Sequence, residues 1–311
     1  MNQYVLSVAA IGAYPEISIS EDRYLQLETA RSALRAAFVI EEKYEILIQN
    51  YIDFEKCILS EACEHMLSVR LDYEDFFSTR LKLNTCILNL LTTTKLYIDS
   101  ISSEVYRCLT KKLKNEVKSD VKALFHRAYD SSMDYRFIEL LRNHIQHSSI
   151  PIEGLTLSSS KTSSDIEPLI ERVLEFYTYK SSLLENKRNS KTKLEELPDI
   201  LDLKQSIRSY VELLSGVHAN IRKLISTETS NHRAIISDAI NEYKAIYPEL
   251  TVGLHAINYN NRVVEAKVPI LLHWDDIRLK LIKKNIELVN LKSRYVSGIA
   301  TARSMVIVDL P

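Results

Sequence analysis

The sequence predicts a mainly α protein, a multi-helix bundle with a small β-hairpin near its C-terminus. Three observations lead there. Apolar residues recur at spacings of three and four along most of the 311 residues, the period that gathers them on one side of a helix. Only five glycines occur, Gly12, Gly154, Gly216, Gly253 and Gly298, too scattered for a turn-rich β-barrel. Near the C-terminus, Thr251–Ile257 and Arg262–Val268 flank Asn258-Tyr259-Asn260-Asn261. That is a hairpin signal, because asparagine tolerates positive φ in a turn.

Taken in order, the chain opens with an extended or irregular segment to about Ile19, broken by Pro15. Ser20 reads as an N-cap, with Glu21 and Asp22 complementing the dipole of a helix that runs to about Arg70, with Val39 as its one candidate break. A second long helix is predicted from Tyr73 to Leu109, on Leu83, Ile87, Leu90, Leu91, Leu96 and Ile98. A basic helix from Lys111 to Ala128 follows, then one from Ser131 or Ser132 to His147, stopped by Pro151. Ile152–Leu157 reads as a short strand and the serine-rich Ser158–Ser164 as a surface loop. Helices are predicted at Asp165–Lys187, Leu197–Thr227 and His232–Ile246, and after the hairpin at Trp274–Ala302. Three segments suggest themselves, 1–71, 72–157 and 158–311, within one integrated domain.

Composition narrows the function. Hydrophobic residues make up 46% and charged residues 26% of the chain, the balance of a globular protein. A formal net charge of -1 excludes a uniformly basic nucleic-acid coat but not a local patch. The glycines cannot build a GxGxxG or GxxxxGK loop, which counts against nucleotide-dependent dehydrogenases and P-loop enzymes. Cys57, Cys63, Cys86 and Cys108 form no CxxC pair and read as reduced core thiols. The apolar run Tyr4–Ile11 lacks a preceding positive charge, so it makes a poor signal peptide, and it is too short to span a bilayer. A cytoplasmic protein without a membrane partner is the expectation.

Arg142-Asn143-His144-Ile145-Gln146-His147 carries the chemistry. Residues turn by about 100° each on a helix, so Asn143 and His147 share a face and His144 lies near it. Arg142 points elsewhere, but its long stem can wrap back. An imidazole, an amide and a permanent cation near a helix end suit RNA transesterification. A base takes the 2'-hydroxyl proton, the oxygen attacks the adjacent phosphorus, an acid protonates the leaving 5' oxygen, and a guanidinium steadies the extra charge. No metal and no cofactor is required. The competing reading is a helix C-terminus whose Arg and His satisfy its last carbonyls.

Arg142-Asn143-x-x-x-His147 resembles the R-x4-6-H signature of the HEPN superfamily, whose arginine is often followed by asparagine. The frame Tyr135-Arg136-Phe137-Ile138-Glu139-Leu140-Leu141 before it, and Pro151 after it, fit as well. Leu83–Asp99 resembles the helix that pairs with the motif helix, and the likeness extends weakly to Leu224. The resemblance implies an all-helical, HEPN-like bundle that forms a homodimer with two motifs in one cleft. It also implies a metal-independent ribonuclease, acting as a toxin or in phage defence. By position, Arg142 would hold the scissile phosphate, His147 would act as acid or base, Asn143 would position it, and His144 would be auxiliary. An antitoxin or other protein partner is implied too. Some toxin members carry a tyrosine two residues after the histidine, which a partner nucleotidyltransferase modifies; Ser149 stands there, so that form of neutralisation is not expected. The alternative is a non-catalytic HEPN module that binds RNA, a nucleotide or a protein.

Lys111, Lys112, Lys114, Lys118, Lys122 and Arg127, with Arg107, outnumber Glu116 and Asp120. Such a stripe could guide RNA by counterion release, or simply be a solvated face. Cys57, Cys63 and His65 lack the spacing of a zinc site. His218 and His232 read as packing or solvent residues, and Asp275-Asp276 as helix-dipole partners of the last helix.

Overall fold

The computed structural model describes residues 2–9, 14–67, 72–109, 114–147, 149–161, 170–185, 195–248 and 252–296. Mostly helical, it has β1 (Asn2–Val8), β2 (Ile17–Ile19), α1 (Glu21–Leu67), α2 (Tyr73–Cys108), α3 (Lys114–Ser131) and α4 (Met133–His147) in its first half. Then come β3 (Gly154–Lys161), β4 (Ile170–Tyr179), α5 (Lys180–Glu185), β5 (Ile200–Asp202), α6 (Leu203–Ile246), β6 (Leu254–Asn260), β7 (Val263–Pro269) and α7 (His273–Lys284). A single 3-10 turn at Leu291–Ser293 follows α7.

Helix starts are written in the side chains. The Ser20 hydroxyl accepts from the Arg23 N–H at 3.2 Å. Asp72 and Asp75 form a reciprocal capping box on α2. Ser132 accepts from the Tyr135 N–H to open α4, and Asp202 from the Gln205 N–H to open α6.

Two long helices organise the molecule. At about 1.5 Å per residue, the 47 residues of α1 and 44 of α6 each reach through two hydrophobic cores. The larger core collects Tyr44, Phe54, Leu90, Tyr97, Leu141, Phe176 and Tyr210 from α1, α2, α4, β4 and α6. The smaller joins Leu6, Tyr24, Leu34, Tyr243, Leu254 and Ile270 beneath a four-stranded antiparallel sheet ordered β2-β1-β6-β7. The predicted hairpin is therefore the outer half of a sheet whose inner partner is the N-terminal strand. Its turn sits at Asn261-Arg262, both at positive φ, three residues beyond Asn258, which belongs to β6.

Several predicted elements need correction. α1 runs unbroken through Val39, since no proline or glycine interrupts it. Ser158–Lys161 is the end of β3, not a loop, and it pairs with Ile170–Val173; residues 162–169 lie outside the described residues. The predicted helix Asp165–Lys187 is instead β4 followed by the six-residue α5. β4 buries Leu174, Phe176 and Thr178 in alternation, the period of a half-buried strand, and lies at the centre of the sheet β3-β4-β5. Gly154, at the edge of that sheet, leaves room for the Tyr177 ring, which a Cβ there would meet at 2.1 Å. The helices predicted at Leu197–Thr227 and His232–Ile246 are one, α6, preceded by β5. The last helix stops at Lys284. Among the described residues, no helix is long and apolar enough to cross a membrane.

Candidate functional site

α4 carries the predicted motif and is set by what it buries. Phe137, Ile138, Leu141 and His144 recur at helical spacing and are all closed off from solvent. They press α4 against the larger core, in contact with α6. Beyond the helix, the Ile152 N–H donates to Asn84 Oδ1 of α2 at 3.0 Å, which anchors the outgoing chain beside α2.

On this helix Arg142 is half-buried, its side chain 12% exposed, and its guanidinium forks onto Glu139, with contacts of 2.6 and 2.8 Å. Glu139 also accepts from the Tyr210 hydroxyl at 2.9 Å. Burial, and then the Glu139 charge, push the pKa values of Tyr135 and Tyr210 up, which keeps both hydroxyls protonated. The pair Arg142–Glu139 is thus clamped from the α6 side.

The other motif residues are placed unequally. Asn143 is half-buried. His144 is 2% exposed, and neither ring nitrogen has a hydrogen-bond partner among the described residues. His144 faces the core rather than a cleft. His147 is the last residue of α4; its side chain lies outside the described residues. Of the basic stripe, Lys111 and Lys112 lie outside the described residues, as do the side chains of Lys114 and Lys118 on α3. Lys122 and Arg127 are exposed on α3.

Two depressions flank α4. One, of about 100 Å³, lies between α2 and α4 and is lined by Arg142, Gln146, Leu88, Thr92 and Lys95. The other, of about 580 Å³, lies among α2, α3 and α4; Lys122, Phe125, His126, Tyr129, Tyr135 and Glu139 line it. Lys122 and Arg142 line different depressions, with Glu139 of the larger one paired to Arg142, and Arg127 lines neither. The sequence reading missed Glu139, Tyr129 and Tyr135. The signal for Glu139 was present, since a carboxylate three residues before an arginine shares its helix face.

Away from α4, a buried polar cluster was also missed. His218 of α6 stacks on Tyr44 of α1 with ring centroids 3.7 Å apart. Its Nδ1 lies 2.8 Å from the Tyr97 hydroxyl and its Nε2 3.3 Å from Glu41. Burial lowers the pKa of His218 against the pull of Glu41. A neutral ring fits the contacts, with Nε2–H donating to Glu41 and Nδ1 accepting from Tyr97. Burial alone would raise Glu41, but hydrogen bonds from Arg222 and His218 hold its carboxyl down at about 2.

The cysteines are free. Cys108 is buried, Cys57 and Cys86 are half-buried, and Cys63 is exposed, not in the core as expected. Burial and then neighbouring Cys86 push the Cys57 thiol up to about 12, so it is a poor nucleophile. His65 is engaged by Thr79 at 2.9 Å, which donates on to Glu61 at 2.6 Å.

In comparisons with protein-family models, curated proteins and solved structures, no match to this chain was found.

Proposed function

We propose that the chain is a metal-independent endoribonuclease built on a HEPN-like helical core, cleaving RNA by 2'-hydroxyl attack. The carrying observation is Glu139, which lines the 580 Å³ cleft and grips the Arg142 guanidinium. Glu139 thereby links this cleft to Arg142, which lines the smaller depression between α2 and α4. The cleft offers what a strand needs: Lys122 for phosphate, Phe125 and Tyr129 for bases, His126 at its rim. Arg142 would steady the dianionic phosphorus, His147 at the end of α4 would move the proton, and Asn143 would orient it.

A homodimer belongs to this reading. Phe77, Leu81 and Leu96 are exposed on α2, and Phe77, Leu81 and Leu88 fall within about 40° of one another at helical spacing. Leu88 and Lys95 of that face line the crevice with Arg142. A second copy seated on this apolar stripe would bring two α4 ends together around one cleft. Cytoplasmic action as a toxin or phage-defence effector, checked by an antitoxin or other protein partner, is part of the same proposal.

The test is RNA incubated with the purified chain under a chelator. Wild type should yield 2',3'-cyclic phosphate ends, and Arg142→Ala should yield none; equal cleavage by the two would reject the assignment. A second reading, a non-catalytic RNA-, nucleotide- or protein-binding module, is favoured by the commitment of Arg142 to Glu139. It predicts RNA retained on the protein but unchanged in length.

A further inference from the structure

We propose that Arg31, Arg35, Phe38 and Trp274 form a binding site for a free 5'-mononucleotide, with the phosphate on the two guanidinium groups and the base on the indole. The cavity measures about 300 Å³ and is lined by these four residues with Val39 and Glu42. All come from the first half of α1 and the first turn of α7, and none from α2, α3 or α4. The site therefore stands or falls independently of the ribonuclease reading.

Arg31 and Arg35 are four residues apart on one helix, so their like charges sit side by side, a destabilising arrangement. Six arginines of the chain, Arg136, Arg142, Arg208, Arg222, Arg233 and Arg278, each pair with a carboxylate. Arg31 and Arg35 take part in no ion pair among the described residues. Arg31 Nε is buried with no hydrogen-bond partner, and burial, then the charge of Arg35, lower the pKa of the Arg31 guanidinium. An anion of the right shape would relieve both costs. Paired guanidinium forks match phosphate oxygens two at a time.

The remaining walls select a ring. Trp274 is half-buried and meets Phe38 edge to face, with centroids 6.0 Å apart at 74°. A base stacked on the indole face is worth roughly 1–3 kcal/mol. Glu42, exposed on α1, can only accept hydrogen bonds, which suits the amino group of a base. The volume lies at the small end for ligand cavities, roughly 300–1,000 Å³, so it takes one ring and one phosphate rather than a strand.

Trp274 is the single tryptophan of the chain, so its fluorescence, excited beyond the tyrosine band, reports on this cavity. Titration of the full chain with adenosine 5'-monophosphate should quench it saturably. Adenosine alone and inorganic phosphate alone should each bind at least tenfold more weakly. Arg35 is exposed, so Arg35→Gln should fold normally and weaken the nucleotide at least tenfold, with Arg35→Lys between the two. Equilibrium dialysis of labelled nucleotide against wild type and Arg35→Gln covers the case of a silent indole. The proposal is overturned by absence of binding at millimolar nucleotide, by inorganic phosphate binding as tightly as the nucleotide, or by unchanged affinity in Arg35→Gln.

Discussion

Arg142 and His144 are two residues apart in sequence and face opposite demands. Arg142 spends its charge on Glu139, in a fork that a lysine could not reproduce. Arg142→Lys is therefore predicted to lower the cleavage rate by on the order of 100-fold while leaving the melting temperature nearly unchanged. A rate that survives the change would mean that only charge, not geometry, matters. His144 buries two ring nitrogens without partners among the described residues, at a cost of roughly 1–3 kcal/mol. His144→Leu keeps an apolar filling of similar size and should stabilise the chain by about 1 kcal/mol in urea unfolding. A loss of stability would show that the imidazole has a partner in the core. The sequence reading placed both residues on the right helix, because the 3-4 spacing of Phe137, Leu141 and His144 is a local signal. It could not tell that His144 belongs to that buried face, since an imidazole is compatible with either side.

At the scale of elements, legibility followed how local each cause is. α2 and α4 were readable because their caps and apolar spacing lie within their own residues. The join within α6 was misread because Thr227, Glu228, Ser230 and Asn231 are polar, yet none of them breaks a helix. β4 was missed for a different reason. Its apolar residues satisfy both periods over a short window, and only the β-branched and aromatic run Val173, Phe176, Tyr177, Thr178, Tyr179 argues for a strand. The partnership of β1 with β6 spans almost the whole chain, and no local pattern encodes it. The strand makes a sharp prediction. Phe176 is buried and meets Phe54 edge to face at 6.0 Å, so Phe176→Ala should cost about 3–5 kcal/mol. Its neighbour Glu175 points out, and Glu175→Lys should change stability by no more than about 0.5 kcal/mol. Urea midpoints of the two variants decide this; comparable losses would contradict an alternating strand.

For the whole molecule, the cluster Glu41, His218, Arg222, Tyr97 and Tyr44 ties α1, α2 and α6 together inside the larger core. Both of its titrating members give stability the same pH dependence. His218 has a lowered pKa in the folded state, so protons bind the unfolded chain first and stability falls as pH drops below about 6.5. Glu41 is held at about 2, and its contribution, present above roughly pH 4.3, is lost as pH falls toward 2. Urea midpoints should therefore decline from pH 7 downward, and His218→Gln should flatten the upper part of that decline. An unchanged slope in the variant would place the titrating group elsewhere.

The proposed chemistry rests on an attack by a ribose hydroxyl, and that is open to one direct measurement. An RNA oligonucleotide and its twin with a single 2'-deoxy sugar at the mapped cut are incubated with the purified chain in excess chelator. The proposal predicts that the first is cut and the second stays whole at that position. Cleavage of both at equal rates, or of neither, would contradict it.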